Sequence, residues 1–482
     1  MKKSSNIKFV QDDKICSLDL DKEGLSPTTT VLNYLRKSPG HQGTKEGCAE
    51  GDCGACTVVL AELNEKQNIQ YTALDSCLVF LPMIHGKQLI TVENLHTTEE
   101  NNIKLHPVQQ SMVDSNGSQC GYCTPGFIMS LFSLYKNEQN PTKESIEDAL
   151  TGNLCRCTGY RPILEAAAKA CVHKGMDQFN GKEKHIKELL LSIRDEESTL
   201  QFDFGIQSYA RPSRLNDALK LKEAQPEAIL ISGATDIALR VTKKREILKE
   251  IIDLGGITEL KSYHKNTNEI IVGAGLDLEE IKIKCEKDLP ALHKMLSVFG
   301  SRQIRRLATL GGNIGSASPI GDTLPVLIAY GASVELKNLQ GIRLIPMKEF
   351  ITGYRQTQRK PDELITAVHI PIPDKSTIVS SYKVSKRKDL DISTVSAAFR
   401  LKIKSDTIEE IILAYGGMAE KTKQASKSES FLLGKKWNEK NIEEAAELIY
   451  HEFTPLTDAR SGAEFRRVAA KNLLIKFWSE HS

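Results

Sequence analysis

The stretch GCAEGDCGAC, residues 47–56, indicates how the N-terminal part of the chain folds. Its cysteines have the spacing C-x4-C-x2-C and a fourth cysteine follows after twenty residues, which gives the set Cys48, Cys53, Cys56 and Cys77. This is the plant-type ferredoxin spacing for a 2Fe-2S cluster. Three glycines would let the loop adopt positive φ and approach an inorganic core closely, namely Gly47, Gly51 and Gly54. A structural zinc site is the alternative, although such sites usually pair two short C-x2-C knuckles.

A second group of four cysteines lies in SQCGYCTPGF, residues 118–127, and NLCRCTGYRP, residues 153–162. The pairs are C-x2-C and C-x-C, separated by 31 residues, and their members are Cys120, Cys123, Cys155 and Cys157. Pro125 and Pro162 mark two helix starts directly after these pairs. The unpaired N–H groups of the two helices would face an anionic thiolate cluster. We therefore predict a second 2Fe-2S cluster here, with zinc again as the alternative.

Composition bounds the remaining possibilities. A chain of 482 residues predicts three or four domains. A net charge of +2 and 40% hydrophobic residues indicate neither a nucleic-acid-binding nor a membrane protein, and the N-terminus lacks the apolar segment of a secretion signal. We therefore expect a cytoplasmic protein, where grouped cysteines favour metal ligation over disulfides. The remaining cysteines are expected to be buried: Cys16, Cys171 and Cys285.

Secondary-structure patterns divide the chain into unlike parts. Residues 6–20 predict a hairpin at the start of a small α+β unit, and residues 105–175 have helical periodicity. A charged stretch up to about residue 205 is typical of a solvated linker with one or two helical turns. After it come glycine-rich turns that follow apolar strands, and then a mixed α+β end segment from about residue 376. The chain is therefore predicted to be a multidomain α+β protein.

Two glycine-rich loops could bind a ligand through their backbones. ILISGATDIAL places Gly233 and Thr235 after an apolar strand, where exposed N–H groups could bind a pyrophosphate. The G-x-G-x-x-G fingerprint is missing, so a Rossmann site is not predicted, and a plain strand-to-helix turn is the alternative. TLGGNIGSASPIGD, residues 309–322, concentrates four glycines with polar side chains. Together the two loops suggest a dinucleotide that spans them.

Long motifs of this chain resemble the molybdenum hydroxylases, the family of xanthine dehydrogenase and aldehyde oxidoreductase. The motifs are GTKEGCAEGDCGACTV, HPVQQSMVDSNGSQCGYCTPGFIMS and LTGNLCRCTGYRPI. The resemblance implies a β-grasp 2Fe-2S ferredoxin domain at 1–86 and a four-helix 2Fe-2S domain at 87–176. After a linker at 177–205, it implies a two-part α+β FAD-binding domain at 206–375 and a C-terminal α+β flavoprotein domain at 376–482. All eight cysteines would be metal ligands, and Gln119 matches a position that contacts the molybdopterin cofactor in relatives, with a surface glutamine as the alternative.

The resemblance also implies a set of FAD contacts. The first loop would contact the adenine and pyrophosphate side of FAD through Leu230, Ile231, Gly233, Ala234, Thr235, Asp236 and Ile237. The second loop would form the other wall through Thr309, Gly312, Asn313, Ser316 and Asp322. Phe299 would lie near the isoalloxazine ring, Lys383 matches another flavin contact, and Tyr354 matches a residue that helps to hold NAD. An exposed lysine and simple core packing are the alternatives for Lys383 and Tyr354. Many relatives have Asn at position 234 and Glu at 236, and some have an acid where Leu390 stands, which leaves the tuning of the flavin and the choice of oxidant open.

The order of domains resembles that of the small subunit of two-subunit bacterial xanthine dehydrogenases. Nothing after residue 376 resembles a molybdopterin domain, so the resemblance implies a molybdopterin-binding large subunit as partner, in a heterotetramer. Electrons from oxidation of hypoxanthine or xanthine there would pass through two 2Fe-2S clusters to FAD and then to NAD. On this interpretation the chain has no catalytic residue of its own besides its cofactors. The alternatives are an equivalent subunit that serves an aldehyde or another N-heterocycle, and a zinc-stabilised interaction protein.

Overall fold

A computed structural model describes residues 2–99, 102–172, 174–194 and 198–482. The chain divides into two compact units. The first consists of Met1–Ala218, Glu227–Gly256 and Ser301–Leu307, and the second of Leu219–Pro226, Ile257–Gly300 and Ala308–Ser482. None of the helices within these described ranges combines the length and the apolar character needed to cross a lipid bilayer.

The N-terminal part of the first unit is an α+β domain. Its elements are β1 (Lys2–Ser4), β2 (Asn6–Gln11), β3 (Lys14–Asp19), α1 (Val31–Lys37), β4 (Thr57–Leu63), β5 (Ile69–Asp75), β6 (Gln88–Ile90), β7 (Thr97–Glu99) and β8 (Asn102–Lys104). Strands β2 and β3 form the predicted hairpin, with Asp12 and Asp13 at positive φ in the turn. The sheet has the order β3-β2-β6-β4-β5, and α1 buries Val31 and Leu35 against it. The cysteine loop therefore leads into the central part of a mixed sheet.

The second domain of this unit is helical, as predicted. Its helices are α2 (Pro107–Asp114), α3 (Thr124–Asn137), α4 (Lys143–Leu150) and α5 (Arg161–Val172). Pro125 and Pro162 lie in the first turns of α3 and α5, where a missing N–H costs no intrahelical hydrogen bond. Helix α3 is buried from Gly126 to Tyr135 and forms the centre of the domain.

The cysteines outside the two groups are buried in two of three cases. Cys171 and Cys285 are 4% and 0% exposed. Cys16 is only partly buried, so the prediction was wrong for this residue. It lies on the edge strand β3, which has few neighbours on its outer side.

The predicted linker has more structure than the sequence suggested. Residues 178–193 form one continuous helix, α6 (Gln178–Ile193), where one or two helical turns were expected. Its apolar stripe, Ile186, Leu190 and Ile193, packs on Val10 of the first sheet. Charged residues on the other face of α6 dominate the composition of this segment, so its amphipathic pattern is hard to recognise from the sequence.

A buried acidic residue anchors the start of α6. Asp177 caps the helix by accepting from the N–H of Asn180 at 3.0 Å. Its carboxylate also accepts hydrogen bonds from Lys136 Nζ at 2.9 Å and His106 Nε2 at 3.1 Å. Burial alone would raise the pKa of Asp177, but the hydrogen bonds from His106 and Lys136 and the charge of Lys136 lower the pKa to about 2.

This lowered pKa predicts a loss of stability in acid. A carboxyl whose pKa is lowered by folding adds stability above its unfolded pKa of about 3.9, and the added stability disappears as the pH falls towards 2. We expect the free energy of unfolding to fall by about 2 kcal/mol more in the wild type than in Asp177→Asn between pH 5 and pH 2. Denaturant titrations of both proteins over this range measure the difference. Parallel pH profiles would contradict the role of Asp177.

The chain continues in the first unit with a small sheet. The elements of this part of the chain are β9 (Ser198–Asp203), β10 (Ser208–Arg211), α7 (Leu215–Ala224, whose residues from 219 onward belong to the second unit), β11 (Ile229–Ile231), α8 (Ala238–Thr242) and β12 (Glu250–Asp253). The sheet order is β1-β9-β10-β12-β11, so the first strand of the chain completes it. The pairings of β11 with β12 and of β12 with β10 are parallel.

The second unit holds two larger sheets and one two-stranded sheet. Residues 257–371 form β13 (Tyr263–Lys265), β14 (Glu269–Gly273), α9 (Leu278–Cys285), α10 (Pro290–Ser297), α11 (Arg302–Arg305, a short helix of the first unit), α12 (Leu310–Gly315), α13 (Thr323–Ala329), β15 (Ser333–Lys337), β16 (Ile342–Pro346), α14 (Met347–Phe350), β17 (Ile351–Gly353), β18 (Gln356–Thr357) and β19 (Leu364–Pro371). The main sheet has the order β13-β14-β19-β15-β16.

The last hundred residues form the predicted α+β end domain. Its elements are β20 (Thr377–Val384), β21 (Val395–Lys404), β22 (Thr407–Gly416), β23 (Lys423–Gln424), α15 (Ser426–Leu432), α16 (Glu439–Glu452) and α17 (Ala463–Glu480). The antiparallel sheet β20-β21-β22-β23 buries Phe399 and Tyr415 against Phe477 and Ile449 of the helices.

Candidate functional site

The structure brings the first four cysteines together as two pairs. Each thiol has the largest effect on the pKa of its neighbour in two pairs, Cys48 with Cys53 and Cys56 with Cys77. Cys56 and Cys77 are 2% and 1% exposed, whereas the other pair is less buried.

Backbone N–H groups of the loop point at a cysteine sulfur. The N–H groups of Glu50 and Asp52 donate to Cys48 Sγ at 3.4 and 3.3 Å. The hydrogen bond from Cys53, together with these N–H groups, lowers the pKa of Cys48 to about 5. Cys48 is therefore predisposed to be a thiolate, the form that binds metals.

Two of the three predicted glycines adopt positive φ. Gly51 and Gly54 have φ of +77° and +65°. Gly47 does not, so the prediction was wrong for its conformation; a Cβ there would lie 2.6 Å from Cys53 Sγ, and lack of space is the reason for glycine.

The second four cysteines also form two pairs. Cys120 Sγ and Cys157 Sγ are 3.7 Å apart, and the thiols of Cys123 and Cys155 lie close enough to affect each other's pKa. Burial raises the pKa of Cys123 to about 12. Burial opposes ionisation of Cys155 as well, but the hydroxyl and N–H of Thr158 donate to its Sγ at 3.2 and 3.4 Å, and its pKa is lowered.

One side of this second group faces solvent. Cys120 and Cys157 are exposed, and so is Gln119, which directly precedes Cys120. Tyr122 is 50% exposed and donates its hydroxyl to the carbonyl oxygen of Glu46 beside the first cysteine loop. The surface position of Gln119 fits either of its two interpretations.

The pairwise arrangement distinguishes between two metal centres. A binuclear iron centre takes two thiolates on each iron, whereas a structural zinc ion gathers four thiolates around one point. Two thiol pairs per group therefore match the donor set of a 2Fe-2S cluster. Within the described ranges, no three or more His, Cys, Asp or Glu side chains are grouped closely enough to hold one single metal ion.

The first predicted flavin loop follows an edge strand of the first unit. Leu230 and Ile231 lie on β11, and the residues Gly233, Ala234, Thr235, Asp236 and Ile237 connect it to α8. Ala234 is 7% exposed and has φ of +60°, a conformation that favours Gly or Asn. This explains physically why Asn suits position 234, and why Ala is strained there.

The second predicted flavin loop, in the second unit, is held by its own side chains. Thr309 caps α12 by accepting from the N–H of Gly312 at 3.1 Å. Asn313 accepts from the hydroxyl of Thr323 at 2.6 Å, and Ser316 donates to the carbonyl oxygen of Asn313 at 2.9 Å. These bonds fix a tight loop whose predicted residues lie close together.

A buried ion pair connects two further predicted flavin residues. Lys383 Nζ lies 3.1 Å from Asp322 Oδ2, and the two side chains are 4% and 6% exposed. Lys383 Nζ also donates to the carbonyl oxygen of Val298 at 2.8 Å, next to the predicted contact Phe299. The interpretation of Lys383 as an exposed surface lysine was therefore wrong.

Ser393 was missed by the sequence analysis. Its hydroxyl donates to Asp322 Oδ1 at 2.6 Å, while Lys383 binds Oδ2, so both oxygens of this carboxylate have a partner. The surrounding DLDISTV carries no spacing signal that singles it out. Tyr354, by contrast, is 62% exposed, so it does not pack in the core of its unit.

Comparisons with known proteins agree with this layout. The chain matches a model of a [2Fe-2S] binding domain at residues 91–168. It also matches models of the FAD binding domain in molybdopterin dehydrogenase at 201–373 and of the CO dehydrogenase flavoprotein C-terminal domain at 380–481.

Relatives with curated names extend the comparison. Xanthine dehydrogenase/oxidase of Gallus gallus is 33% identical over 98% of this chain and 39% of its own length. Aldehyde oxidase 2 of Macaca fascicularis is 32% identical over 98% of this chain and 39% of its own length. The chain thus spans about two fifths of these relatives.

A solved structure shows the same fold over part of the chain. Quinoline 2-oxidoreductase from Pseudomonas putida 86 has a TM-score of 0.53 at 24% identity, covering 58% of this chain and 98% of that one. The three domain matches and these relatives place the chain, as an iron–sulfur and FAD-binding part, in the molybdenum hydroxylase family of oxidoreductases.

Proposed function

We propose that this chain is the electron-transfer subunit of a xanthine dehydrogenase. Electrons from oxidation of hypoxanthine or xanthine at the molybdenum cofactor of a partner subunit would reach NAD through this chain. When bound, two 2Fe-2S clusters would carry single electrons, and FAD would accept two of these electrons together with a proton, which allows their transfer to NAD as a hydride. The observation that carries the proposal is the assembly of eight cysteines into two groups, each made of two thiol pairs.

Each group of residues has a proposed task. The first and second groups of cysteines would each hold one cluster as thiolate ligands, not as catalysts. The two glycine-rich loops would bind FAD, and the Lys383–Asp322 ion pair would support the loop at the flavin. Exposed Gln119, beside exposed Cys120, is the proposed contact with the molybdopterin cofactor of the partner.

The domain boundaries are part of the proposal. We retain domains at 1–86, 87–176, 206–375 and 376–482, with 177–205 as the segment between the iron–sulfur and flavin halves. The matched ranges 91–168 and 380–481 fall within two of these domains. The match at 201–373 begins a few residues earlier, at the strand β9.

A second substrate class has support of its own. Aldehyde oxidase 2 is nearly as similar to the chain as the xanthine dehydrogenase relative. On our proposal, the substrate binds to the partner subunit, so the substrate is not determined by this chain. An equivalent subunit for an aldehyde or an N-heterocycle is therefore the second candidate.

The test begins with purification of the native complex. We expect four irons and one FAD for each copy of this chain, together with a molybdopterin-containing large subunit in a heterotetramer. Hypoxanthine, xanthine, an aldehyde and an N-heterocycle are then offered with NAD, and NADH is followed by its absorbance. NADH formation with purines supports the first candidate, whereas formation with only an aldehyde or a heterocycle supports the second. A colourless protein with zinc and without iron would contradict both.

A further inference from the structure

An asparagine lies between the three segments that carry the cysteines. Asn153, which is 2% exposed, precedes Cys155 by two residues. Its Nδ2 donates to the carbonyl oxygen of Gly54 at 3.0 Å and to Thr57 Oγ1 at 3.2 Å, on the first cysteine loop and the strand after it. Its Oδ1 accepts from the hydroxyl of Ser130 at 2.6 Å, on the helix that follows Cys123.

The backbones of these segments meet without room for side chains. A Cβ on Gly54 would lie 2.3 Å from the carbonyl oxygen of Gly152, and one on Gly126 would lie 2.1 Å from that of Gly54. The N–H of Leu154 donates to the carbonyl oxygen of Cys53 at 3.0 Å. One hydrogen bond therefore joins a predicted ligand of the first group to the residue before Cys155, a ligand of the second.

A residue from a distant part of the sequence completes this junction. Gln303, 1% exposed, donates through Nε2 to Asn153 Oδ1 at 3.0 Å and to Ser130 Oγ at 2.9 Å. It lies on α11, and the next residue, Ile304, is in the group of side chains packed around the first cysteine loop: its Cδ1 lies 2.8 Å from where a Cβ on Gly51 would be.

Helix α11 is itself anchored to the helical domain. Arg305 Nη2 and Arg302 Nε bind the carboxylate of Asp148 on α4 at 2.6 and 3.0 Å. Helix α11 thus contacts both cysteine loops, through Ile304 beside Gly51 and through Gln303 at Asn153.

We propose that Asn153 and Gln303 form a clamp that fixes the first cysteine loop against the loop of Cys155 and Cys157, and so sets the coupling between the two centres. The proposal rests on the proposed two-cluster function. Asn153 and Gln303 are positioning residues, since neither is a cluster ligand. Because the amide groups of the clamp are buried, each lost hydrogen bond leaves a polar group without water to replace it.

The test compares variants of the full chain loaded with iron and FAD. Gln303→Met keeps the shape of the side chain but loses both donated hydrogen bonds, and Ser130→Ala is a second, smaller change at the same junction. The control is Asn137→Ala, which removes the hydrogen bond from Asn137 Nδ2 to Tyr71 O between the same two domains, away from the cysteine loops.

Two readouts follow the position of the loops. Hydrogen exchange at the Leu154 N–H should become about ten- to a hundredfold faster in Gln303→Met, and should increase in Ser130→Ala, but not in the control. In the fully reduced protein, both paramagnetic signals should persist while their mutual magnetic splitting changes. Unchanged exchange and unchanged splitting in both clamp variants would overturn the proposal.

The result also separates the clamp from the function on which it rests. If the wild-type protein gives fewer than two cluster signals, the proposed function fails, and with it the role of the clamp in coupling. Exchange at Leu154 still decides whether the clamp holds the two loops.

Discussion

Serine in place of Cys155 is expected to remove one of two paramagnetic signals from the reduced protein and about half of its iron. A serine hydroxyl has a much higher pKa than the Cys155 thiol, whose pKa is already lowered by Thr158. The remaining three cysteines of the group cannot complete the four-thiolate donor set. On the proposed function, reduction of the flavin by substrate should then cease, because one carrier of electrons is missing.

The control for this change is a buried cysteine of the same domain. Cys171→Ala alters a thiol in the core of the helical domain that belongs to neither group. It should cost at most about 1–2 kcal/mol of stability and leave both signals in place. Iron analysis and electron paramagnetic resonance of the two variants provide the measurement. If Cys155→Ser keeps both signals, Cys155 is not an essential ligand.

Methionine in place of Lys383 is expected to release FAD and to destabilise the second unit by about 3–5 kcal/mol. Among the residues that the structure describes, the change leaves Asp322 as a buried charge with only Ser393 as a side-chain donor. Breaking a buried ion pair from one side has this cost because the remaining charge is no longer compensated. Flavin content after gel filtration and thermal unfolding of the apoprotein give the two effects separately.

A second substitution separates stability from flavin binding. The double variant Lys383→Met/Asp322→Asn removes both charges and keeps an acceptor for Ser393, so most of the stability should return while the loss of FAD remains. Lys386→Met, an exposed lysine of the same basic run, should change neither quantity by more than about 0.5 kcal/mol. Full retention of FAD by Lys383→Met would exclude a role for this lysine in the flavin site.

The sequence predicted the cysteine groups because their chemistry depends on spacing. The loop around Cys48 and the proline-marked helix starts follow from local rules, and the structure has both. The division of each group into two pairs has no such signal. It arises because Cys77 and Cys157 come from segments that are distant in sequence from their partners, so only the folded chain decides which thiols meet.

The burial of Lys383, the length of α6 and the roles of Gln303 and Ser393 share one physical cause that the sequence does not show. Lys383 lies in a basic run, and its burial depends on Asp322, which is 61 positions earlier. Helix α6 was underestimated since its apolar stripe is narrow within a charged stretch, and its partner Val10 is far away in sequence. Gln303 and Ser393 are polar residues whose roles depend entirely on distant partners. Composition and periodicity carry no information about such pairings.

The parallel pairing of β1 with β9 has a consequence during protein synthesis. Lys2 pairs with Ser198, so the first strand leaves the ribosome long before its partner exists. At about 5–20 residues per second, the delay is on the order of 10–40 s. During this time β1 offers unsatisfied N–H and C=O groups to any neighbouring nascent chain. Fragments that stop before residue 198 would keep this liability, and co-translational chaperones are the natural protection for it.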